Sequence, residues 1–261
     1  MYFRSILSAA VAASFLAWSP LVAAEEKKEE KLIPGTFSAT ISGMSDYRFR
    51  GVSQTDNIPA VQGSFDWEMP IIKDYMSVFL GVWASNVNFK DGGDSVIEID
   101  VYGGVKGTID KFSWKLQFIG YLYPGAESFR NYDYFEINPE IGYDFGFLSA
   151  STGINYSPEY FGKSGDAVYW YAGVTVPLPI EALERFKPAI VGGVGYQAIQ
   201  RNANYGTPDY WTWNIGIQFE FEGFAVSAKY VDTDISRANC AGGRRWCGAT
   251  GIVSVTKTFS W

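Results

Sequence analysis

Charged side chains recur inside stretches of this chain that alternate between apolar and polar residues. Glu98 and Asp100 alternate with Ile97, Ile99 and Val101, which is the period of two of a β-strand with one apolar face. Charges at the middle of such a strand must face water or each other. The same parity places eight charged side chains on one face of the predicted strands: Arg48, Arg50, Glu98, Asp100, Lys115, Glu136, Glu140 and Glu220. Carboxylates outnumber cations in this set, so it predicts an acidic wall that attracts cations or neutral polar solutes.

Bond-making chemistry has little support in this sequence. The chain contains no histidine, which excludes Ser-His-Asp and Cys-His nucleophile systems and zinc sites built on imidazole. No phosphate-cradling glycine loop or dinucleotide fingerprint is present. Asp232 and Asp234 could contribute to a calcium site, but two carboxylates are too few to define one. We therefore expect no enzyme activity, no catalytic residue, no cofactor and no metal.

Two cysteines, Cys240 and Cys247, lie in a glycine-rich segment near the end of the chain. If the chain is exported, it reaches an oxidising compartment, where a local disulfide bond is the expected state. Free thiols and a metal site are the alternatives, and the metal site lacks a histidine to complete it.

The first 24 residues have the pattern of an export signal. Arg4 provides a short positive region, residues 6–18 are apolar, and Val22-Ala23-Ala24 offers small residues for cleavage. A membrane anchor would need about 20 apolar residues, so we predict a signal peptide over residues 1–24. Residues 25–35 are then a periplasmic tail, and residues 36–261 form one domain.

Twelve alternating segments follow, with connections that alternate between short and long. We predict strands near residues 36–50, 60–69, 75–88, 95–108, 111–123, 132–145, 148–157, 166–177, 187–199, 209–221, 223–233 and 249–261. Short turns on one side and longer loops on the other are typical of outer-membrane barrels, whose mean hydropathy stays near neutral, as it does here at −0.04. The fold class is therefore all-β, a transmembrane antiparallel up-and-down β-barrel of about 12 strands in the cell outer membrane of a Gram-negative bacterium.

Aromatic residues gather at the predicted strand ends, where membrane barrels carry their interfacial girdles. They are Trp67, Tyr75, Tyr121, Tyr123, Tyr132, Tyr134, Trp170, Tyr171, Trp211, Trp213 and Trp261. A soluble barrel is the alternative, but about twelve strands would enclose an unfilled void. The last strand ends in an aromatic residue, as outer-membrane barrels present to the barrel assembly machinery. We expect that machinery, outer-membrane lipid and a small polar solute as partners, and no nucleic acid, because the net charge is −7.

Several segments resemble a known family. The run from Ser45 to Asn57, SDYRFRGVSQTDN, looks like the opening motif of the TorF family of bacterial outer-membrane barrels. Similar stretches follow in order along the chain, among them residues 83–87, 98–104, 120–125 and 230–235. The resemblance implies a porin role, with a weaker implication of riboflavin-like solutes, and it brings no catalytic residues.

The predicted function is passive diffusion of small hydrophilic solutes through a water-filled lumen. The same residues also allow the alternative of a closed interior, in which Arg48 and Arg50 form ion pairs with carboxylate partners. A non-conducting barrel whose loops bind a partner, especially residues 234–248, is the second hypothesis. Four tyrosines could stack on a flat ring such as a flavin, or simply pack at an interface: Tyr102, Tyr121, Tyr123 and Tyr134.

Overall fold

The computed structural model describes residues 33–93 and 95–261. The predicted signal peptide and residues 25–32 of the predicted tail lie outside the described residues. The chain forms a closed barrel in which each wall strand pairs antiparallel with its neighbours, and the first and last strands pair to close it. The prediction of a twelve-strand antiparallel barrel is confirmed. The strands are β1 (Thr36–Met44), β2 (Arg48–Phe49), β3 (Val52–Ser53), β4 (Ala60–Ile72), β5 (Met76–Asn86), β6 (Ile97–Ile109), β7 (Phe112–Leu122), β8 (Tyr134–Asp144), β9 (Ser149–Ser157), β10 (Ala167–Pro177), β11 (Ala189–Ile199), β12 (Tyr210–Phe221), β13 (Phe224–Thr233) and β14 (Thr250–Ser260).

The alternation of each strand separates an apolar outer face from a polar inner one. On β12 the outward Trp211 and Ile215 are 43% and 58% exposed, whereas the inward Thr212 is buried. The wall repeats this pattern, with exposed isoleucine, leucine, valine and aromatic side chains outside and serine, threonine, glutamine and carboxylate side chains inside. An apolar outer band is what a barrel presents to lipid. Among the described residues, no helix has the length and hydropathy of a membrane-spanning segment.

The two ends of the barrel differ in the length of their connections. One end, called here the short-turn end, carries tight turns after β4, β6, β8 and β12, and a longer connection with a 3-10 turn at Glu181–Phe186. The other, the long-loop end, carries residues 45–59, 87–96, 123–133, 158–166, 200–209 and 234–249. The last of these holds a disulfide bond between Cys240 and Cys247.

One predicted strand boundary is wrong. The first strand ends at Met44 instead of continuing to Arg50, so Arg48 and Arg50 are not on the barrel wall. The chain leaves the wall after Ser45, whose backbone N–H still donates to Val253, because the next segment buries Tyr47 and Phe49 inside the barrel. Polar and apolar residues continue to alternate through this segment, so its sequence pattern is the same as that of a longer strand.

The aromatic girdle is also smaller than predicted. Trp170, Trp211, Trp213 and Trp261 are exposed on the outside. Five predicted girdle tyrosines are instead buried inside the barrel or under its loops: Tyr121, Tyr123, Tyr132, Tyr134 and Tyr171. On the strands, Tyr121, Tyr134 and Tyr171 share the parity of the polar lumen residues, so they face the lumen instead of lipid. The hydroxyl groups of Tyr121 and Tyr171 donate to Glu136 and Glu140.

Candidate functional site

The connection between β1 and β4 forms a hairpin that projects into the lumen. We call residues 45–58 the constriction hairpin. Its strands β2 and β3 pair with each other, and its turn uses Arg50 and Gly51 at φ 50° and 85°. Positive φ at both central residues is the geometry of the tight turns that join β-hairpins. The hairpin leaves and re-enters the wall at facing positions, because Met44 pairs directly with Ala60.

Apolar side chains hold the constriction hairpin against one side of the lumen. Tyr47 packs edge-on against Trp83 of β5 at 5.5 Å between ring centroids. Phe49 packs edge-on against Tyr121 of β7 at 5.8 Å. Burial raises the pKa of the Tyr47 hydroxyl, and the nearby carboxylates of Glu98 and Asp100 raise it further. That hydroxyl therefore stays neutral and donates to Glu98 Oε1 at 3.4 Å.

Arg50 at the hairpin tip joins it to the opposite side. Its Nη2 donates to Glu136 Oε2 of β8 at 2.5 Å, and its Nη1 donates to Gln197 Oε1 of β11 at 2.8 Å. The guanidinium carbon also lies 4.5 Å from the ring centroid of Tyr169. The side chains of the ion pair are 4% and 0% exposed. The hairpin therefore crosses the lumen and ends in a buried ion pair.

Gly51 brings the hairpin backbone against the remaining wall. A Cβ atom at this position would lie 2.4 Å from Oγ1 of Thr212 on β12 and 2.6 Å from Cγ2 of Thr233 on β13. Only glycine fits so close an approach at positive φ. With the contacts to β5, β7, β8 and β11, the hairpin touches walls on both sides of the lumen.

Arg48 stabilises the hairpin internally and ties it to the last long loop. Its Nε donates to Asp46 Oδ2 at 2.6 Å. Its terminal nitrogens donate to Asn57 Oδ1 at 2.8 Å and to the carbonyl oxygens of Gly51, Trp246 and Gly248 at 3.0, 2.5 and 3.1 Å. Every nitrogen of this guanidinium is engaged, so Arg48 has a structural role in the hairpin.

Three of the predicted wall carboxylates lie at the depth of the hairpin. Glu98, Asp100 and Glu136 are 1%, 8% and 0% exposed. Glu136 Oε2 accepts from both Arg50 and the Tyr121 hydroxyl. Within the described part of the chain, Glu98 Oε2, Asp100 Oδ1 and Glu136 Oε1 have no hydrogen-bond partner. The side of the lumen that carries these carboxylates is therefore acidic and densely packed around the hairpin.

The other three predicted wall charges lie nearer the short-turn end and are partly exposed. Lys115 forms an ion pair with Glu140 at 3.5 Å, and the Tyr171 hydroxyl also donates to Glu140. Glu220 accepts from Gln218 Nε2 at 2.8 Å. The structure thus places all eight predicted residues inside the barrel, but at two depths and in two kinds of environment. Whether they line a conducting path stays a prediction.

The wall across the barrel from β6, β7 and β8 is lined with small hydroxyl groups. Thr40 bonds Ser64 at 2.8 Å, Ser42 bonds Thr256 at 2.7 Å and Ser227 bonds Ser254 at 2.8 Å. All of these side chains are partly exposed. A water-accessible sector of the lumen therefore runs along β13, β14, β1 and β4.

Glu136 and Gln197 both accept hydrogen bonds from Arg50, but Glu136 was among the eight predicted site residues and Gln197 was not. Gln197 is fully buried in the lumen. The Arg50-Gly51 pair was the available signal, since a glycine next to a polar residue is typical of a hairpin turn. The partners themselves lie 86 and 147 residues away from Arg50, and no local pattern connects them.

Aromatic rings from the long-loop end form one buried cluster with Tyr47 and Phe49 of the hairpin. Phe89 packs within 5.4–5.7 Å of Tyr132, Phe161 and Tyr123. Tyr121 stacks on Tyr134 at 4.3 Å. The tyrosines that could have stacked on a flat ligand therefore pack on protein side chains, and the Tyr102 hydroxyl donates to Asp66.

The candidate calcium ligands are engaged within the protein. Asp232 accepts from the Tyr230 hydroxyl at 2.8 Å, and Asp234 accepts from the backbone N–H of Trp211 at 2.8 Å. Within residues 33–93 and 95–261, no group of three or more metal-ligating side chains converges.

Comparisons with solved structures identify barrels of the same fold. A chain from work on the in-meso crystallisation of membrane proteins is 10% identical, with 87% of this chain and 84% of that chain covered and a TM-score of 0.53. The KdgM porin in complex with disordered oligogalacturonate is 9% identical, covers 86% and 99%, and has a TM-score of 0.50. An outer membrane channel from Pseudomonas putida is 7% identical, covers 91% and 100%, and has a TM-score of 0.47. At these identities the first two show the shared fold alone.

Comparison with known sequences identifies the family. No curated protein matches the chain at a significant level. A family model described as a bacterial protein of unknown function, Gcw_chp, matches residues 28–259. Because this match spans nearly all of the sequence, the chain belongs to the Gcw_chp family of bacterial proteins.

Proposed function

We propose that the protein is an outer-membrane channel of the porin type, in which the constriction hairpin sets the width of an acidic-walled lumen. Small hydrophilic solutes would diffuse through it without catalysis or an energy source, with cations and neutral solutes favoured by the carboxylates. The resemblance to the TorF family makes riboflavin-like solutes a candidate class. The signal peptide over residues 1–24 would export the chain to the outer membrane.

The membrane location rests on the outer surface of the barrel. Side chains such as Leu80, Val101, Phe118 and Ile215 are all more than half exposed. Contiguous apolar surface of this kind is rare on soluble proteins. A lipid bilayer removes it from water, and lipid is therefore the partner that this surface fits best.

The construction of the hairpin is the observation that carries the proposal. A lumen filled by wall side chains could not open without rearranging the barrel. Here the obstruction is a separate segment that leaves the wall at Met44 and returns at Ala60, its direct pairing partner. It can move or be removed while all pairs of the barrel wall remain, as for a loop that narrows or gates a channel.

Single-channel conductance of residues 25–261 in a planar lipid bilayer tests this function. The matched variant replaces residues 45–59 by Asn-Gly, a two-residue turn suited to the facing pair Met44 and Ala60. We expect small, cation-preferring steps from the natural chain and larger steps from the variant. Folding of both is checked by the heat-dependent gel migration of barrels. A variant that folds and conducts no better than the natural chain would contradict the role of the hairpin.

A second candidate function is a barrel that does not conduct. The supporting observation is the exposure of the side chains around the hairpin, which is at most 1% for Glu98, Gln117, Glu136 and Gln197. If both proteins fold and neither conducts, the lumen is a structural core and function resides in the loops. If only the hairpin-replaced barrel conducts, the natural chain is a closed channel that needs a signal to open.

A further inference from the structure

A cavity of about 450 Å³ opens at the long-loop end, outside the lumen contacts described above. It lies between the constriction hairpin and residues 234–249, which we call the disulfide loop. Four arginines line it: Arg48, Arg237, Arg244 and Arg245. No aspartate or glutamate is among its lining residues. In a chain of net charge −7, this is a local concentration of positive charge.

Among the described residues, three of these four arginines have no carboxylate partner, so their positive charge is available to a ligand. Arg48 is neutralised by Asp46 and forms the floor of the cavity. Arg237 donates to the backbone carbonyl of Gly243 in its own loop. Arg244 donates to the carbonyl of Lys90 and lies over the ring of Trp246 at 4.5 Å. Within the described residues, none of Arg237, Arg244 and Arg245 forms an ion pair.

The disulfide loop holds these side chains on a well-anchored backbone. Cys240 and Cys247, seven positions apart, are bonded to each other. The carbonyl of Cys247 accepts from Thr233 Oγ1 at 2.6 Å, and Trp246 Nε1 donates to Asp56 Oδ1 at 2.8 Å. The backbone N–H of Ser53 donates to the Trp246 carbonyl at 2.9 Å. Because the loop is already ordered, a ligand would not have to supply the free energy of ordering it.

We infer that this cavity binds a phosphate monoester group. A guanidinium presents paired N–H donors that match two oxygens of a phosphate. A phosphate monoester carries about −1.5 to −2 charges at neutral pH, on three strong acceptor oxygens. It can therefore use three arginines, whereas a single carboxylate would leave most of their charge unbalanced. The phosphate could be carried by a soluble sugar or by the headgroup of a glycolipid in the membrane. This site does not depend on whether the lumen conducts.

Isothermal titration of the detergent-folded full barrel with glucose 1-phosphate tests the site. Variants Arg244→Gln and Arg245→Gln each remove one charge from the cavity. Arg201→Gln is the matched control, because Arg201 is also on a long loop but faces Glu159. A charge-assisted hydrogen bond contributes about 1.5–3 kcal/mol, so each cavity variant should weaken binding about tenfold or more. The control should bind as the natural chain does.

A second arm distinguishes the source of the phosphate. Barrels are mixed with phosphatidylcholine vesicles that contain lipid A, and with vesicles that contain its dephosphorylated form. Arg245-dependent binding of phosphorylated lipid alone assigns the site to a membrane glycolipid. Arg245-dependent binding of glucose 1-phosphate alone assigns it to a soluble ligand. Absence of binding in both arms, or equal weakening by Arg245→Gln and Arg201→Gln, would overturn the proposal. All four proteins should show the same heat-dependent gel migration, since the substituted side chains are not in the core.

Discussion

Replacing Arg50 by methionine should destabilise the folded barrel strongly. Arg50 is the only described cation that forms an ion pair with Glu136, and it also donates to Gln197. Methionine keeps much of the apolar stem and removes the guanidinium. Glu136, with a side chain that is 0% exposed, is then left as a buried carboxylate without its counter-charge.

The size of the effect follows from the burial of both partners. Breaking a buried ion pair on one side costs about 3–5 kcal/mol, because a charge stays uncompensated in a medium of low dielectric. Replacing both partners by apolar residues is often nearly neutral, because no charge remains to be desolvated. The double variant Arg50→Met with Glu136→Leu should therefore recover most of the stability that Arg50→Met loses.

Urea unfolding of the detergent-folded barrel, followed by tryptophan fluorescence, measures these differences. The eight tryptophans of residues 25–261 report the loss of the barrel as a whole. The control is Arg185→Met at the short-turn end, where Arg185 and Glu222 are 2.5 Å apart but 71% and 69% exposed. Exposed pairs of this kind contribute little to stability, so the control should unfold near the natural midpoint.

Conductance provides a second readout of the same substitution. Loss of the ion pair could release the hairpin tip and let water reach Glu136. In that case the loss of stability is limited to the free energy of releasing the tip, and the single-channel conductance should increase. An Arg50→Met variant with an unchanged unfolding midpoint and unchanged conductance would contradict this role of Arg50. A double variant no more stable than Arg50→Met would contradict it equally.

Three further predictions concern other parts of the barrel. Ile215→Arg on the lipid-facing side of β12 should cost about 2–4 kcal/mol in vesicle-folded protein, whereas Asn214→Arg on the lumen face should cost less; equal losses would contradict the assigned faces. Glu220→Gln in the partly exposed region of the lumen should lower the cation preference, read from the reversal potential in a salt gradient; an unchanged potential would place Glu220 outside the ion path. The double variant Cys240→Ser with Cys247→Ser should lose about 2–3 kcal/mol of loop constraint and be cut faster by protease within residues 234–249; an unchanged cleavage rate would show that the hydrogen bonds alone hold the loop.

Local alternation was sufficient to predict the barrel wall. Lipid outside and water or polar groups inside impose a period of two on every strand. The alternating order of Ile97, Glu98, Ile99 and Asp100 therefore indicates which of these side chains face lipid and which face the lumen. The same pattern indicated the strand number, the alternation of short and long connections and the inward side of the charged residues. A wall strand meets a similar environment along its length. The orientation of its side chains can therefore be predicted without knowing which distant residues it contacts.

Tertiary structure decided what fills the lumen. The constriction hairpin keeps the alternation of a strand, yet it turns inward because Arg50 meets Glu136 and Gln197, 86 and 147 residues away. Alternation also cannot distinguish a tyrosine in a lipid interface from one such as Tyr121, which packs on the hairpin. The arginine cavity likewise needs Arg48 and Arg245, far apart in sequence, on facing segments. The sequence by itself determined which side of the wall the residues of most strands face, because that depends on a local period; the glycine-rich strand near residues 187–199 left its facing ambiguous. Which inward groups meet across the lumen depends on closure of the barrel, and only the tertiary structure decided it.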